Sequence, residues 1–169
     1  MEENSKFRVC IITSSDSGYA GKREDKSGPV IESILIKDGH YAVTARHLLP
    51  DDFDMLSSCM KKVCDNNEAD LILTTGGTGF SPRDIMPEAT AEVCERMVPG
   101  IPEAMRAYSM TITNRAMLSR AAAGIRKRTL IINMPGSPKA VTESLEYILP
   151  ALSHGLEILL GRTSNCARK

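Results

Sequence analysis

Ala69-Asp70-Leu71-Ile72-Leu73-Thr74-Thr75-Gly76-Gly77-Thr78-Gly79-Phe80-Ser81-Pro82-Arg83-Asp84 is the stretch from which the rest of the chain can be read. Leu71 to Leu73 form a short continuous apolar run closed by turn residues, the pattern of a strand covered on both faces of a sheet. Three glycines in four positions then allow the backbone to turn through positive φ and to approach a ligand with no Cβ in the way. Free N–H groups there, with a helical pattern opening at Pro87-Glu88-Ala89-Thr90, favour an anion such as phosphate or carboxylate. The spacing excludes two glycine-loop types: no lysine follows as in Gly-x4-Gly-Lys-Ser/Thr, and no third glycine stands three after the second as in a dinucleotide fingerprint. The glycines alone would also suit a tight strand-to-helix turn with Asp84 capping it. Packing by itself, however, does not call for the hydroxyls of Thr75 and Thr78 and a carboxylate together.

Working outward, the same alternation recurs. Phe7 to Ile12 is expected as a strand ending in Thr13-Ser14-Ser15-Asp16-Ser17-Gly18, followed by a flexible polar segment to Lys26. Ser27-Gly28-Pro29 reads as a helix start with a capping hydroxyl and a proline in the first turn, and Gly39 as its stop. Tyr41 to Leu49 reads as a strand broken by Pro50. Asp51-Asp52 precedes helical spacing at Phe53, Leu56, Met60 and Val63, so one aspartate can cap while the other stays free for chemistry. A helix is expected from Pro87 until just before Pro99-Gly100, and another from Ile101 to Met110. Residues 117–128 read as a short helix or two short strands. Arg115, Arg120, Arg126, Lys127 and Arg128 there suit phosphates, or a solvated or subunit-contact face. Leu130 to Met134 reads as a strand ending in Pro135-Gly136-Ser137-Pro138-Lys139, and Ser137 before Pro138 again fits cap and first turn. Two further helices are expected, one through Val141, Leu145, Ile148 and Leu149, the other from Leu152 to Leu160. The polar ends, 1–5 and 163–169, are expected to be disordered.

The 169 residues suit a single domain with a real core. Lys+Arg and Asp+Glu are both 21, so no global field recruits nucleic acid or an anionic membrane, and an anion must be gripped locally. Aromatics make up 4 % with no Trp, against base-stacking platforms, and no apolar run reaches bilayer-spanning length. The polar, acidic N-terminus is unlike a secretory signal, so the cytoplasm is the expected compartment. Cys10, Cys59, Cys64, Cys94 and Cys166 include no Cys-x2-Cys pair; Cys10 reads as a small buried hydrophobe. His40, His47 and His154 have no nucleophile beside them in a motif and receive no catalytic role.

Strands alternating with helices indicate a three-layer α/β/α domain around a mainly parallel sheet. Ligands of such sheets gather at the carboxyl ends of the strands near a switch in strand order. Thr13 to Asp16, Asp51-Asp52, Thr74 to Asp84 and Pro135 to Ser137 would then share one rim. Carboxylates facing phosphates repel them unless a divalent cation intervenes, and Mg²⁺ typically takes one or two carboxylates plus phosphate oxygens. Asp51 and Asp84 on that rim therefore point to metal-assisted nucleotidyl transfer.

The central string closely resembles the signature of the MogA/MoaB family of molybdenum-cofactor biosynthesis, which includes the related domain of gephyrin. The likeness runs from Ser14-Ser15-Asp16 through Ser27-Gly28-Pro29, Leu49-Pro50-Asp51-Asp52, Ser119-Arg120 and Gly124-Ile125-Arg126 to Asn133-Met134-Pro135-Gly136-Ser137-Pro138. Gly79 to Thr90 follows the adenylyltransferase branch. The resemblance implies that family's fold, a homotrimer, and the reaction of ATP with molybdopterin to give adenylylated molybdopterin and pyrophosphate with Mg²⁺. It implies Asp51 and Asp84 as the two essential aspartates and metal ligands. Thr75, Gly76, Gly77, Thr78 and Gly79 would bind phosphate, Pro135, Gly136 and Ser137 would flank the nucleotide, and Ser14, Ser15 and Asp16 would line the pocket. The gephyrin relationship also permits a non-catalytic pterin-binding or scaffolding trimer, and a generic nucleotide or phosphosugar binder is a third alternative.

Overall fold

The computed structural model describes residues 6–162; the two ends expected to be disordered lie outside the described residues. Six strands form one sheet: β1 (Phe7–Ser14), β2 (Tyr41–Leu49), β3 (Leu71–Thr75), β4 (Arg96–Met97), β5 (Ala123–Arg126) and β6 (Thr129–Met134). The six helices are α1 (Asp16–Tyr19), α2 (Ser27–Asp38), α3 (Phe53–Asp65), α4 (Met86–Val93), α5 (Gly100–Met110) and α6 (Pro138–Leu159), with a 3-10 turn at Asn114–Leu118. Strand order is β2-β1-β3-β6-β5-β4. β2, β1, β3 and β6 run parallel, while β5 lies antiparallel to β6 and β4 antiparallel to β5.

The two-residue period of a strand divides the core cleanly. Val9 and Ile11 of β1, Leu71 and Leu73 of β3, and Leu130 and Ile132 of β6 face a layer that includes Ile31 and Leu35 of α2, Met105 of α5 and Val141, Leu145 and Leu149 of α6. Cys10, Ile12, Ile72 and Ile131 face Leu56, Met60 and Val63 of α3 and Met86, Ala89 and Val93 of α4. The expected α/β/α layering is therefore present, with Cys10 an apolar core residue whose thiol burial pushes up to about 12.

Several local expectations give way. Ser27 does not cap α2: its hydroxyl donates to the Gly136 carbonyl at 2.8 Å. The Asp25 carboxylate accepts from the Ser27 and Gly28 amides instead, at 3.1 and 3.0 Å, and from the Thr13 hydroxyl at 2.8 Å. A charged acceptor two residues upstream outcompetes a hydroxyl that has a carbonyl to bind. Asp25→Ala should therefore cost about 1–2 kcal/mol, the usual loss of a helix cap, read as a lower urea midpoint.

The helix from Pro87 ends before Pro99, already at Val93. Cys94 turns extended, and Glu95 and Val98 donate backbone bonds to Ile125 and Ala123, making a short edge strand. The two expected C-terminal helices are one of 22 residues, running through Pro150. Leu145, Ile148, Leu149, Leu152 and Leu156 make one unbroken buried stripe, which outweighs the hydrogen bond that proline cannot make. Phe53, expected on the apolar face of α3, is exposed at its first turn.

At the opposite end of the sheet from the glycine loop, Asp70 is 2 % exposed and accepts from the Arg8 amide at 2.8 Å and from its guanidinium at 2.7 Å. Burial works to raise this carboxyl, but the bonds from Arg8 outweigh it and hold it below the ordinary range. The stabilisation is thus complete above the unfolded carboxyl's pKa and disappears as pH falls through the folded one. The stability gap between wild type and Asp70→Asn should accordingly shrink below pH ~4, measurable by urea unfolding across pH.

Candidate active site

The order β2-β1-β3 reverses direction at β1, so the crevice beyond the carboxyl ends of β1 and β3 is the expected ligand position. The register places Thr13 beside Thr75 and Thr75 beside Met134, so these strand ends finish level. Beneath them, buried Asn133 donates to the hydroxyls of Thr74 (3.0 Å) and Thr90 (2.8 Å) and accepts from the Ala122 amide (3.0 Å). This satisfied polar node ties β3, β6 and α4 into a fixed base.

A cavity of about 430 Å³ opens over that base. Its walls include Ser14, Ser15, Asp16, Asp51, Thr75, Gly76, Gly77, Asp84 and Gly136. Gly76 (φ 92°) and Gly77 (φ 69°) carry the backbone through the left-handed region. Asp51 lies beside this loop, 3.7 Å from where a Gly77 Cβ would stand, and Asp84 beside its other end, 2.8 Å from the corresponding point on Gly79.

Of the other sequence-selected residues, Thr78, Gly79 and Pro135 line a second cavity of about 300 Å³. Ser137 caps α6, accepting from the Ala140 amide at 3.2 Å. The Thr75 hydroxyl donates to the Pro135 carbonyl at 2.6 Å, so its proton is not available to a phosphate. Ser15 caps α1, accepting from the Gly18 amide at 3.0 Å. Asp52 caps α3 through the Met55 amide at 2.9 Å, which leaves Asp51 to the cavity.

Asp51 accepts from the Ser14 hydroxyl at 2.5 Å and from the Asp16 amide at 3.1 Å. Asp84 accepts from the Ser81 amide at 2.9 Å. Neither has a cationic partner within ion-pair distance among the described residues, whereas Asp16 is paired with Arg83 at 2.9 Å and held below the usual carboxylate range by it. Both carboxylates stand beside amide donors in one cavity. No cluster of three or more His, Cys, Asp or Glu suited to a metal occurs among the described residues. Two carboxylates with room for phosphate oxygens fit Mg²⁺, which is seldom caged by protein alone.

Sequence reasoning missed several contributors. Arg23 and Lys26 line the cavity without an ion-pair partner among the described residues, from the loop read only as flexible and polar. Arg120, grouped with phosphate-seeking bases, instead buttresses the glycine loop from behind. It donates to the Gly79 carbonyl at 2.7 Å and the Asp84 carbonyl at 2.6 Å, and pairs with Glu88. Arg126 and Lys127 pair with Asp65, and Arg128 donates to the Leu160 carbonyl. Only the adjacency of Ser119-Arg120 to a run of small residues could have hinted at a packing role.

A doubly wound α/β protein with an anion-type loop and two carboxylates at its switch point is the class these features define. The family model described as "Probable molybdopterin binding domain" matches residues 10–154, and the chain belongs to this molybdenum-cofactor biosynthesis family of MogA/MoaB proteins. It is similar to the molybdopterin adenylyltransferase of Helicobacter pylori strain J99, 41 % identical over 161 residues, spanning 92 % of this chain and 89 % of that one. It also resembles gephyrin of Dictyostelium discoideum, 37 % identical over 94 % of this chain but only 23 % of that one. Among solved structures, the molybdopterin biosynthesis enzyme MoaB of Thermus thermophilus superposes with a TM-score of 0.86 at 46 % identity, covering 92 % and 97 % of the two chains.

Proposed function

We propose that the protein is a molybdopterin adenylyltransferase in molybdenum-cofactor biosynthesis. Asp51 and Asp84 flanking one glycine loop in one cavity is the observation that carries this reading; the likeness to a named adenylyltransferase over most of both chains supports it. In the reaction, an oxygen of molybdopterin's terminal phosphate forms a bond to the α-phosphorus of ATP. The bond from that phosphorus to the α–β bridging oxygen breaks, and pyrophosphate leaves with the electron pair.

Each residue has a part in this chemistry. The amides of Gly76 and Gly77 face developing phosphate charge with dipoles already oriented, so little reorganisation accompanies the reaction. Arg23 and Lys26 supply positive charge from the cavity lining. Asp51 and Asp84 would hold Mg²⁺, which when bound offsets the charge of the triphosphate and aligns it. The strand ends fix nucleophile and α-phosphorus in one cavity, converting an encounter into a positioned reaction.

In this reading the chain acts as one domain, the active form is a homotrimer, the compartment is the cytoplasm, and the substrates are ATP and molybdopterin. No helix among the described residues is long and apolar enough to cross a membrane. The test is a coupled assay with ATP, Mg²⁺ and molybdopterin. Pyrophosphate release matched by adenylylated molybdopterin is expected. Pterin binding without ATP consumption would favour the scaffolding alternative, and ATP affinity indifferent to pterin would favour a generic nucleotide binder.

A further inference from the structure

Asp16 stands in the wall of the cavity and is bonded to residues on both of its lips. Its carboxylate accepts from the Asp51 amide at 3.0 Å and from the Arg83 guanidinium through Nε and Nη2, both at 2.9 Å. Its own amide donates to the Asp51 carboxylate at 3.1 Å. The two aspartates therefore exchange amide-to-carboxylate bonds across the ends of β1 and β2, forming a closed ring. The Ser14 hydroxyl holds the other oxygen of Asp51 at 2.5 Å. Arg83 locks the ring from outside, and it is the residue immediately before Asp84.

A carboxylate at this cavity has only acceptors to offer, and a triphosphate has nothing to receive from it. Unpaired, Asp16 would repel the substrate; paired with a planar guanidinium through two parallel bonds, it is neutralised and fixed in direction. The same pair ties the lip of the cavity that carries Asp51 to the lip that carries Asp84. As a stability device it is weak, since Arg83 and Asp16 side chains are 63 % and 46 % exposed and surface pairs contribute little. Its consequence is geometric.

We propose that Asp16 and Arg83 are positioning residues that set the orientation of the Asp51 carboxylate and its separation from Asp84, without touching substrate themselves. This rests on the adenylyl-transfer reading of the site. Neither residue is a metal ligand in it; both act through Asp51, as partners of ligating carboxylates do elsewhere.

The experiment uses the full-length protein with Arg83→Met, Arg83→Lys, Asp16→Asn and the Asp16→Asn/Arg83→Met double variant. Mn²⁺ binding in the presence of ATP is followed by electron paramagnetic resonance, and metal-free ATP binding by calorimetry. Arg83→Met is expected to weaken Mn²⁺ by about tenfold, in the range found for second partners of metal ligands. In the double variant, which leaves no unpaired charge at the wall, metal-free ATP affinity should stay within about twofold, and the thermal midpoint of each variant should stay within a few degrees, as for a surface pair. Arg83→Lys, a point charge in place of a fork, should recover part of the loss. The double variant should be no worse than the poorer single one, because the chain is already broken.

Unchanged Mn²⁺ affinity in Arg83→Met overturns the proposal. So does an equal loss of metal-free ATP affinity in the double variant, which would make Arg83 a direct phosphate ligand, and so do effects on Mn²⁺ that multiply in the double variant. These shifts in the variants, together with no adenylylated product from the wild type, overturn the reaction and leave the positioning role standing.

Discussion

Asp84→Ala is expected to lower adenylyl transfer on the order of 10³-fold, the scale of losing a principal charge-stabilising contact, while the protein stays folded. Asp84 accepts a single side-chain bond, from the exposed Ser81 amide, so the truncation removes little that the fold needs. Its value lies in standing beside the glycine loop, as Asp51 does, without an ion-pair partner among the described residues. Pyrophosphate release and a calorimetric melting scan on the same preparation check both halves. Turnover equal to wild type would remove Asp84 from the role assigned to it. Asp51→Ala should be as inactive but less stable, by about 1 kcal/mol or more, because the Ser14 hydroxyl and the Asp16 amide lose their acceptor. Asp51→Asn keeps an acceptor oxygen and loses the charge, so it separates the two effects.

Gly76→Ala is expected to produce the largest loss of stability. At φ 92° the backbone lies where side chains rarely go, and a Cβ would stand 2.3 Å from the Ser14 carbonyl oxygen. That oxygen belongs to β1, where Ser14 pairs with Leu49 of β2 and the preceding residues pair with β3, so it cannot move aside as a flexible side chain would. The conformational cost of about 1–2 kcal/mol and an overpacking cost of about 1–3 kcal/mol together make roughly 2–5 kcal/mol, a large share of a typical domain's stability. A urea midpoint within error of wild type would show that the crevice between β1 and β3 is looser than this geometry requires. Because Gly76 also floors the cavity, the folded fraction should have lost activity as well.

β1, β3 and β6 were legible because burial on both faces leaves an unmistakable mark, and β2 because Pro50 closes it. Tyr41–Leu49 is found at the bounds read from sequence, and β1, β3 and β6 extend the expected runs by one to two residues. Extension occurs where hydroxyl residues, Thr13, Ser14, Thr74 and Thr75, continue a strand that apolar patterning cannot see. Arg96–Met97 was not legible: two exposed residues carry no periodicity, and only pairing with β5 makes them a strand. The join of the two C-terminal helices was likewise hidden, since proline argues locally for a break and only the shared buried stripe argues for continuity.

What the sequence by itself determined was a set of types: apolar runs of strand length, glycines that must turn, and acidic and hydroxyl residues at each strand end. Chemistry of that kind is local and survives in one dimension. Which donor meets which acceptor was decided only in three dimensions. Asp25 rather than Ser27 holds the start of α2, Arg120 supports the glycine loop from behind, and Arg83 reaches Asp16 from 67 positions away. The reason is physical: a hydrogen bond depends on distances set by the packed sheet, and several groups of the same type compete for each partner until packing selects one.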